Sequence, residues 1–428
     1  MKSLLQTAQE NFDQVETYKI KVETTKMQFQ NSTLQNIDND IQSAISLRAI
    51  RNNKLGFAYT RNLLSNEELI KNAENSLLGQ VVAEYKFPHS PLVEALDSYD
   101  AGIVHLEADR IADECQQLCD YIKQNTDAET EIYAGKEISS IELMNSNGTD
   151  LTHQDSLYSM YFTLVYPGSA SGISYYLQAK NFQKIDPIVL EKIIGRYKAG
   201  SKLIQPESGN MQVLFTPLTM YAITWRLALG TSSRSFFDKI TPIAEKQGIR
   251  IFDPKLTFFT DPLDDRYPCS RPFDDEGVVC RRHVLINNGV FEKRFNDLNY
   301  AAKLKEKPTG HGFRNSMTSL PHPSLQYQHI LPGHESLEEM ISGMKRGIIL
   351  ESILGAHSGN LPNGDFSIGV SPALYVENGE IKGRLKEGMV SGNIYQILKK
   401  IDSVEKIVHA TGNAMMPSVL FNEIHVDI

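Results

Sequence analysis

The chain has 428 residues, 41% of them apolar and 22% charged, which is the balance of an ordinary globular protein and excludes a largely disordered one. Its formal charge is −9, and no dense Lys/Arg block carries interleaved aromatics, so a nucleic acid is not the expected partner. No run approaches 18 apolar residues, so no membrane-spanning helix is expected, and the length asks for more than one core.

Met1-Lys2-Ser3-Leu4-Leu5-Gln6 does not run into an apolar segment, so no secretory signal is expected. Leu4, Leu5, Ala8 and Phe12 then fall at helical spacing. The period changes at Tyr18, Ile20 and Val22, which alternate with Lys19, Lys21 and Glu23 as in a half-buried strand. A looser alternation over residues 45–51 and the run Leu55–Tyr59 flank Asn52-Asn53, which tolerate positive φ and read as a hairpin turn. Ser65-Asn66-Glu67-Glu68 has the form of a capping box, with Leu69, Ile70, Ala73 and Leu77 as the buried stripe of the helix that follows.

Pro88 and Pro91 mark a connection to a helix over 108–124, which carries Cys115 and Cys119. Two cysteines one turn apart do not complete a zinc site and read as packed apolar side chains, and four cysteines in all suit a reducing, cytoplasmic compartment. Residues 130–180 are strand-rich, with a turn at Asn145-Ser146-Asn147-Gly148. Pro187 opens the next helix, and the short strand MQVLF leads through Pro217 into the helical stretch LTMYAITWRLAL. Beyond it strands and turns dominate, with a hairpin at Asn287-Asn288-Gly289 and helices at HESLEEMISGMKRG and near 394–400. Helices and strands segregate, so the expected class is α+β: an N-terminal α/β-type domain over 1–186, then a large strand-rich domain over 187–428 with a mixed, mostly antiparallel sheet.

The standard catalytic constellations are missing: no G-x-S-x-G, no phosphate loop, no G-x-G-x-x-G after a strand and no H-E-x-x-H. His334-Glu335 begins such a string, but Ser336-Leu337-Glu338-Glu339 continues as a helix start. His311, His322, His329 and His334 share one stretch and could supply a zinc site, but Pro321 and Pro323 bracket His322, and solvated loop histidines are the expected outcome.

The segment Arg271-Pro272-Phe273-Asp274-Asp275-Glu276-Gly277, followed by Arg281-Arg282 and VLINNGVFEKRF, resembles a signature of the TldD/PmbA family, also called modulators of DNA gyrase. LRAIRNNKLGFAYT, SNEELIKNAENSL and Asn145–Gly148 match in order before it; Gly364-Asp365-Phe366-Ser367 with Gly369, VENGEI and Ser391-Gly392-Asn393 match after it. The resemblance spans about 15–425 and implies two subunit types. One carries H-E-x-x-x-H and a C-terminal Cys for zinc; the other lacks them and pairs with the first in a cytosolic peptidase that acts on unfolded peptides.

Anchored on VLF and Pro217, the equivalent hexad here is Trp225-Arg226-Leu227-Ala228-Leu229-Gly230. Trp225 and Gly230 offer no lone pair to a cation, and Arg226 sets a fixed positive charge where the base would stand. The last cysteine is Cys280. The resemblance therefore implies the subunit type without catalytic or metal-binding residues of its own, zinc being held only by a partner, in a dimer with a zinc-bearing relative or with itself. A self-sufficient hydrolase using the histidine stretch, and a binding protein acting on a partner such as gyrase, are the rival expectations. Arg271, Asp274, Asp275, Glu276, Gly277, Arg281, Arg282, Asp365 and Ser367 are candidates for a substrate channel or subunit interface. The alternative reading makes Asp274-Asp275-Glu276-Gly277 an acidic turn and Asp365-Phe366-Ser367 part of a strand end.

Overall fold

A computed structural model describes residues 1–62, 65–91 and 93–428. The expected α+β class holds, with one difference in the first half: its sheet is antiparallel throughout, not of the α/β type. The sheet has the order β3-β2-β1-β4-β5-β6, built from β1 (Gln14–Gln30), β2 (Thr33–Arg51), β3 (Lys54–Thr60), β4 (Glu129–Asn145), β5 (Asp150–Val165) and β6 (Gly172–Ala179). The β2–β3 turn is made by Asn52 and Asn53, both at positive φ (53° and 57°), as their side chains allow.

One face of this sheet carries α1 (Lys2–Gln9) and α2 (Asn66–Ser76) at one end, over Val15, Leu47 and Ala49. At the other end it carries α3 (Ala108–Asn125), whose Ile111, Cys115, Leu118, Cys119 and Ile122 pack among Met27, Phe29, Ile132 and Phe162. Both cysteines are core side chains, and burial pushes the Cys115 thiol up to about 12, leaving an unreactive group. Half of the expected box caps α2: the Ser65 hydroxyl accepts from the Glu68 amide at 3.2 Å, but it donates to Glu67 rather than receiving a reciprocal cap.

β3 pairs only with Ile45–Arg51 of β2. Among the described residues, Thr33–Ala44 therefore has no strand on its outer side, and Leu34, Ile37 and Ile41 stand exposed there. They lie on the face of Met27 and Phe29, which pair with Ile37 and Leu34 while Ile41 pairs with Glu23, so an apolar stripe continues the core beyond its cover.

The second half is built on a large mixed sheet. Its strand Gly209–Phe215 is flanked by Arg346–Leu350 (parallel) and Val419–Asp427 (antiparallel). Alternate residues serve two cores. Leu214, Ile349 and Leu420 join α3 and α4 (Pro187–Ala199), while Val213, Phe215 and Phe421 face α5 (Tyr221–Thr231). A smaller sheet contains Phe258–Thr260, His283–Asn287 and Gln328–Ile330. The helix after His334 begins at Leu337, with Ser336 and Glu339 closing a full capping box; Glu335 lies ahead of it, not in its first turn.

Candidate functional site

α5 follows directly from the strand Gly209–Phe215, so the anchored hexad falls on a helix. Trp225 is half exposed, but Arg226 is fully buried. Its guanidinium donates to three carbonyl oxygens: Asp365 from Nε at 2.8 Å, Ser358 from Nη2 at 2.7 Å and Ala222 from Nη1 at 2.8 Å. Burial lowers its pKa and the nearby Asp365 offsets this, while the Phe366 ring lies 5.9 Å from the guanidinium carbon. Arg226 thus clamps the loop before Asp365 onto α5. A side chain at Gly230 would overlap the Tyr395 hydroxyl. A guanidinium that only donates, a backbone with no room for imidazole and an indole do not make a zinc site. The Asp365 carboxylate accepts from Asn393 at 2.8 Å, and Ser367 pairs across the sheet with Ser391.

The Arg271–Gly277 segment lies against the face of the first sheet opposite α1, α2 and α3, with Phe273 packed on Tyr18, Ile141, Leu143 and Leu151. Its three carboxylates point inward. Asp274 accepts from the amides of Glu276, Val278 and Gly312 at 3.0, 2.9 and 2.8 Å. Asp275 accepts from Arg271 (2.8 Å), the Tyr18 hydroxyl (2.9 Å) and the Arg314 amide (2.8 Å). Burial alone would raise the Asp275 carboxyl, but Arg271 and Arg314 hold it below the usual range. Glu276 accepts from Arg48 Nη1 at 2.8 Å and the Leu298 amide at 2.7 Å, and Arg48 grips Glu16 with two bonds of 2.7 Å. Gly277 sits at φ 75°, where a side chain is strained and would press on Leu143.

Of the three arginines beside these acids in sequence, Arg271 pairs with them and the other two do not. Arg281 and Arg282 are exposed, Arg282 lying 3.9 Å from Asp261 and over the Phe259 ring. The other partners are Arg48 from β2 and the amide of Arg314, both missed; the alternation Ile45-Leu47-Ala49 puts Arg48 on its polar side, and its burial comes from the Arg271–Gly277 segment laid over that side.

Asp297 joins the cluster and caps the helix Leu298–Leu304, accepting from the Tyr300 amide at 2.7 Å. Burial and the Glu276 charge push its carboxyl up to about 7. The folded protein therefore holds this proton more tightly than the unfolded chain, and the stabilisation is full below about pH 4 and lost as pH rises to 7. Asp297→Asn keeps the acceptor. Its unfolding free energy in urea, relative to the parent, should rise between pH 5 and 7.5 by on the order of 2 kcal/mol. His311 and His329 titrate with the opposite sign, but they are common to both proteins and cancel in the difference.

The histidines do not converge. His311 is buried between the Thr260 and Thr309 hydroxyls, at 3.0 and 2.9 Å, and burial lowers it to about 3. His329 stacks on Phe259 and is lowered to about 4, again by burial. Solvated loop positions were expected for both; the aromatic and threonine packing around them removes them from water. His334 is exposed and His322 half-buried. Among the described residues, no three His, Cys, Asp or Glu side chains gather as a metal site.

Comparison with known proteins decides the family. A model described as the PmbA/TldA metallopeptidase C-terminal domain matches residues 208–427, and one described as domain 1 of the same metallopeptidases matches 15–77. The chain belongs to the PmbA/TldD metallopeptidase family. It is similar to an uncharacterised Methanocaldococcus jannaschii protein, 24% identical over 410 residues and covering 95% of this chain and 94% of that one. A Methanothermobacter thermautotrophicus protein named a metalloprotease is 24% identical over 404 residues, covering 89% and 85%. The crystal structure of TldE from Thermococcus kodakarensis superposes with a TM-score of 0.91 over all of both chains at 20% identity, which speaks for the fold.

Proposed function

We propose that the chain is the PmbA/TldE-type subunit, without zinc chemistry of its own, of a cytosolic peptidase completed by a zinc-bearing relative and acting on unfolded peptides. The observation that carries this reading is the Arg226 clamp: a buried cation is tied to three carbonyl oxygens at the position that the resemblance aligns with the general base. The uncovered stretch Thr33–Ala44 of β2 supports pairing, since bare strands with an apolar stripe are commonly covered by a partner. Four free thiols fit a reducing compartment.

The chain purified alone is expected to hold well under one zinc per chain by elemental analysis and to leave an unfolded protein substrate intact. Mixing it with the zinc-bearing relative of its own genome should give a complex on a sizing column and chelator-sensitive cleavage. Cleavage by the isolated chain that a chelator abolishes would overturn the proposal.

A further inference from the structure

A cavity of about 280 Å³ opens where both halves of the chain meet, and none of Trp225, Arg226 or Gly230 lines it. Its walls are apolar, with Tyr175 of β6, Val189 and Ile193 of α4, Pro217, Leu337 and Ile407 among them. Several of its buried polar groups meet at one place. Phe215 pairs with Leu350 on one side and Val419 on the other, so the next residues along, Thr216, Glu351 and Ser418, stand side by side at the ends of three adjacent strands. Strands are spaced about 4.8 Å apart, so one small group can reach all three.

Glu351 is 2% exposed, and its Oε1 closes no hydrogen bond, although Arg196 Nε lies 2.8 Å away in an ion pair. The Ser418 hydroxyl is fully buried and also lacks a partner. Next to it Glu405, 4% exposed, accepts from the Ser418 amide at 3.0 Å and lies 3.7 Å from His409 Nε2. The floor therefore presents two buried carboxylates and an open serine hydroxyl to one half-buried guanidinium. Buried polar atoms left open in this way are rare in folded proteins and ask for a donor. Lys192, paired with Glu338 at 2.7 Å, and the exposed Lys406 line the rim.

We propose that this cavity binds a primary ammonium carried on an apolar body, and specifically the amino terminus of a peptide whose first residue is apolar. An ammonium brings three donors and one positive charge to the acceptors Glu405, Glu351 and Ser418, while an α-amino group is mostly protonated at pH 7. The volume holds one side chain and its terminal amine, and the rest of the peptide leaves past the rim lysines. This assignment rests on the reading that the chain handles peptides.

The test is calorimetric titration of the full chain, alone, at pH 7 with Leu-Gly-Gly, its N-acetyl form, Asp-Gly-Gly and leucine amide. Leu-Gly-Gly should bind, with acetylation and the acidic first residue each weakening it at least about tenfold, as expected for loss of a charged hydrogen bond. Glu405→Gln should weaken it similarly. Ile407→Trp, at a half-exposed wall position, should block the cavity without disturbing the core. Equal binding of the acetylated peptide, unchanged binding by both variants, or no binding of any ligand overturns the proposal. Leucine amide binding as tightly as the tripeptide overturns its peptide part in favour of free amines. None of these arms involves the zinc-bearing relative, so a failure here leaves the pairing experiment to stand or fall separately.

Discussion

Replacing Arg48 by methionine is expected to remove about 3–5 kcal/mol of stability, as judged by urea unfolding followed by circular dichroism and by fluorescence of Trp225, the single tryptophan. Arg48 is 2% exposed, and it is the cation shared by Glu16 and Glu276, themselves buried. Methionine fills much of its volume, so the loss isolates charge rather than a void. Two buried carboxylates would then lose their shared cation, with Arg314, 3.7 Å from Glu16, as the remaining positive charge beside them, which is costlier than the pair was ever favourable. Glu276 already binds its proton more tightly than a free carboxyl, mainly through burial. The deficit of the variant should therefore shrink as pH falls and Glu276 takes up its proton. Glu16→Gln removes one acid and keeps the cation matched to Glu276, so it should cost less. An unchanged urea midpoint for Arg48→Met at pH 8 would mean that the two halves are not joined through this network.

Rebuilding the zinc hexad should fail. Trp225→His, Arg226→Glu and Gly230→His together are expected to cost more than about 4 kcal/mol and to give no stoichiometric zinc binding. Glutamate at 226 would set a carboxylate against the carbonyl oxygens of Asp365, Ser358 and Ala222, three acceptors that would each lose the guanidinium as a donor. Any side chain at 230 meets the Tyr395 hydroxyl. The steric part separates cleanly: Gly230→Ala should cost about 1–3 kcal/mol, and Tyr395→Phe in the same protein should recover most of it. The measurement is thermal melting with and without zinc, plus metal content after desalting. A triple variant that melts with the parent and holds one zinc would show an empty metal site rather than a structural clamp.

How much of this was legible in advance depended on the range of the interaction. The Asn52-Asn53 turn, the Ser65 cap and Pro187 at the start of α4 are decided by neighbours within four residues, so local chemistry reveals them. The strand Gly209–Phe215 and the helix after it were equally readable, which is why the hexad could be placed. The first half of β2 was not: Thr33–Ser43 is exposed on both faces, and its Leu34, Ile37 and Ile41 fall three and four apart rather than alternating. The Arg48–Glu276 contact joins residues 228 positions apart, and nothing near either one marks its partner. The burial of His311 and His329 likewise comes from Thr260, Phe259 and Phe295, all supplied by other segments. The acidic turn was recognised as a unit, but its inward direction depends on the sheet it meets.

The uncovered half of β2 also bears on how the chain behaves when left by itself. Between Thr33 and Ser43 its formal charges are Asp38 and Asp40, with no lysine and no proline in that stretch. Those two negative charges are what keeps one molecule's ribbon from zipping onto another's, since like charges brought face to face repel. A preparation in which both are changed to asparagine should cloud and form fibres within a storage period that the parent survives, and supplying a companion subunit that occupies this rim should keep the solution clear.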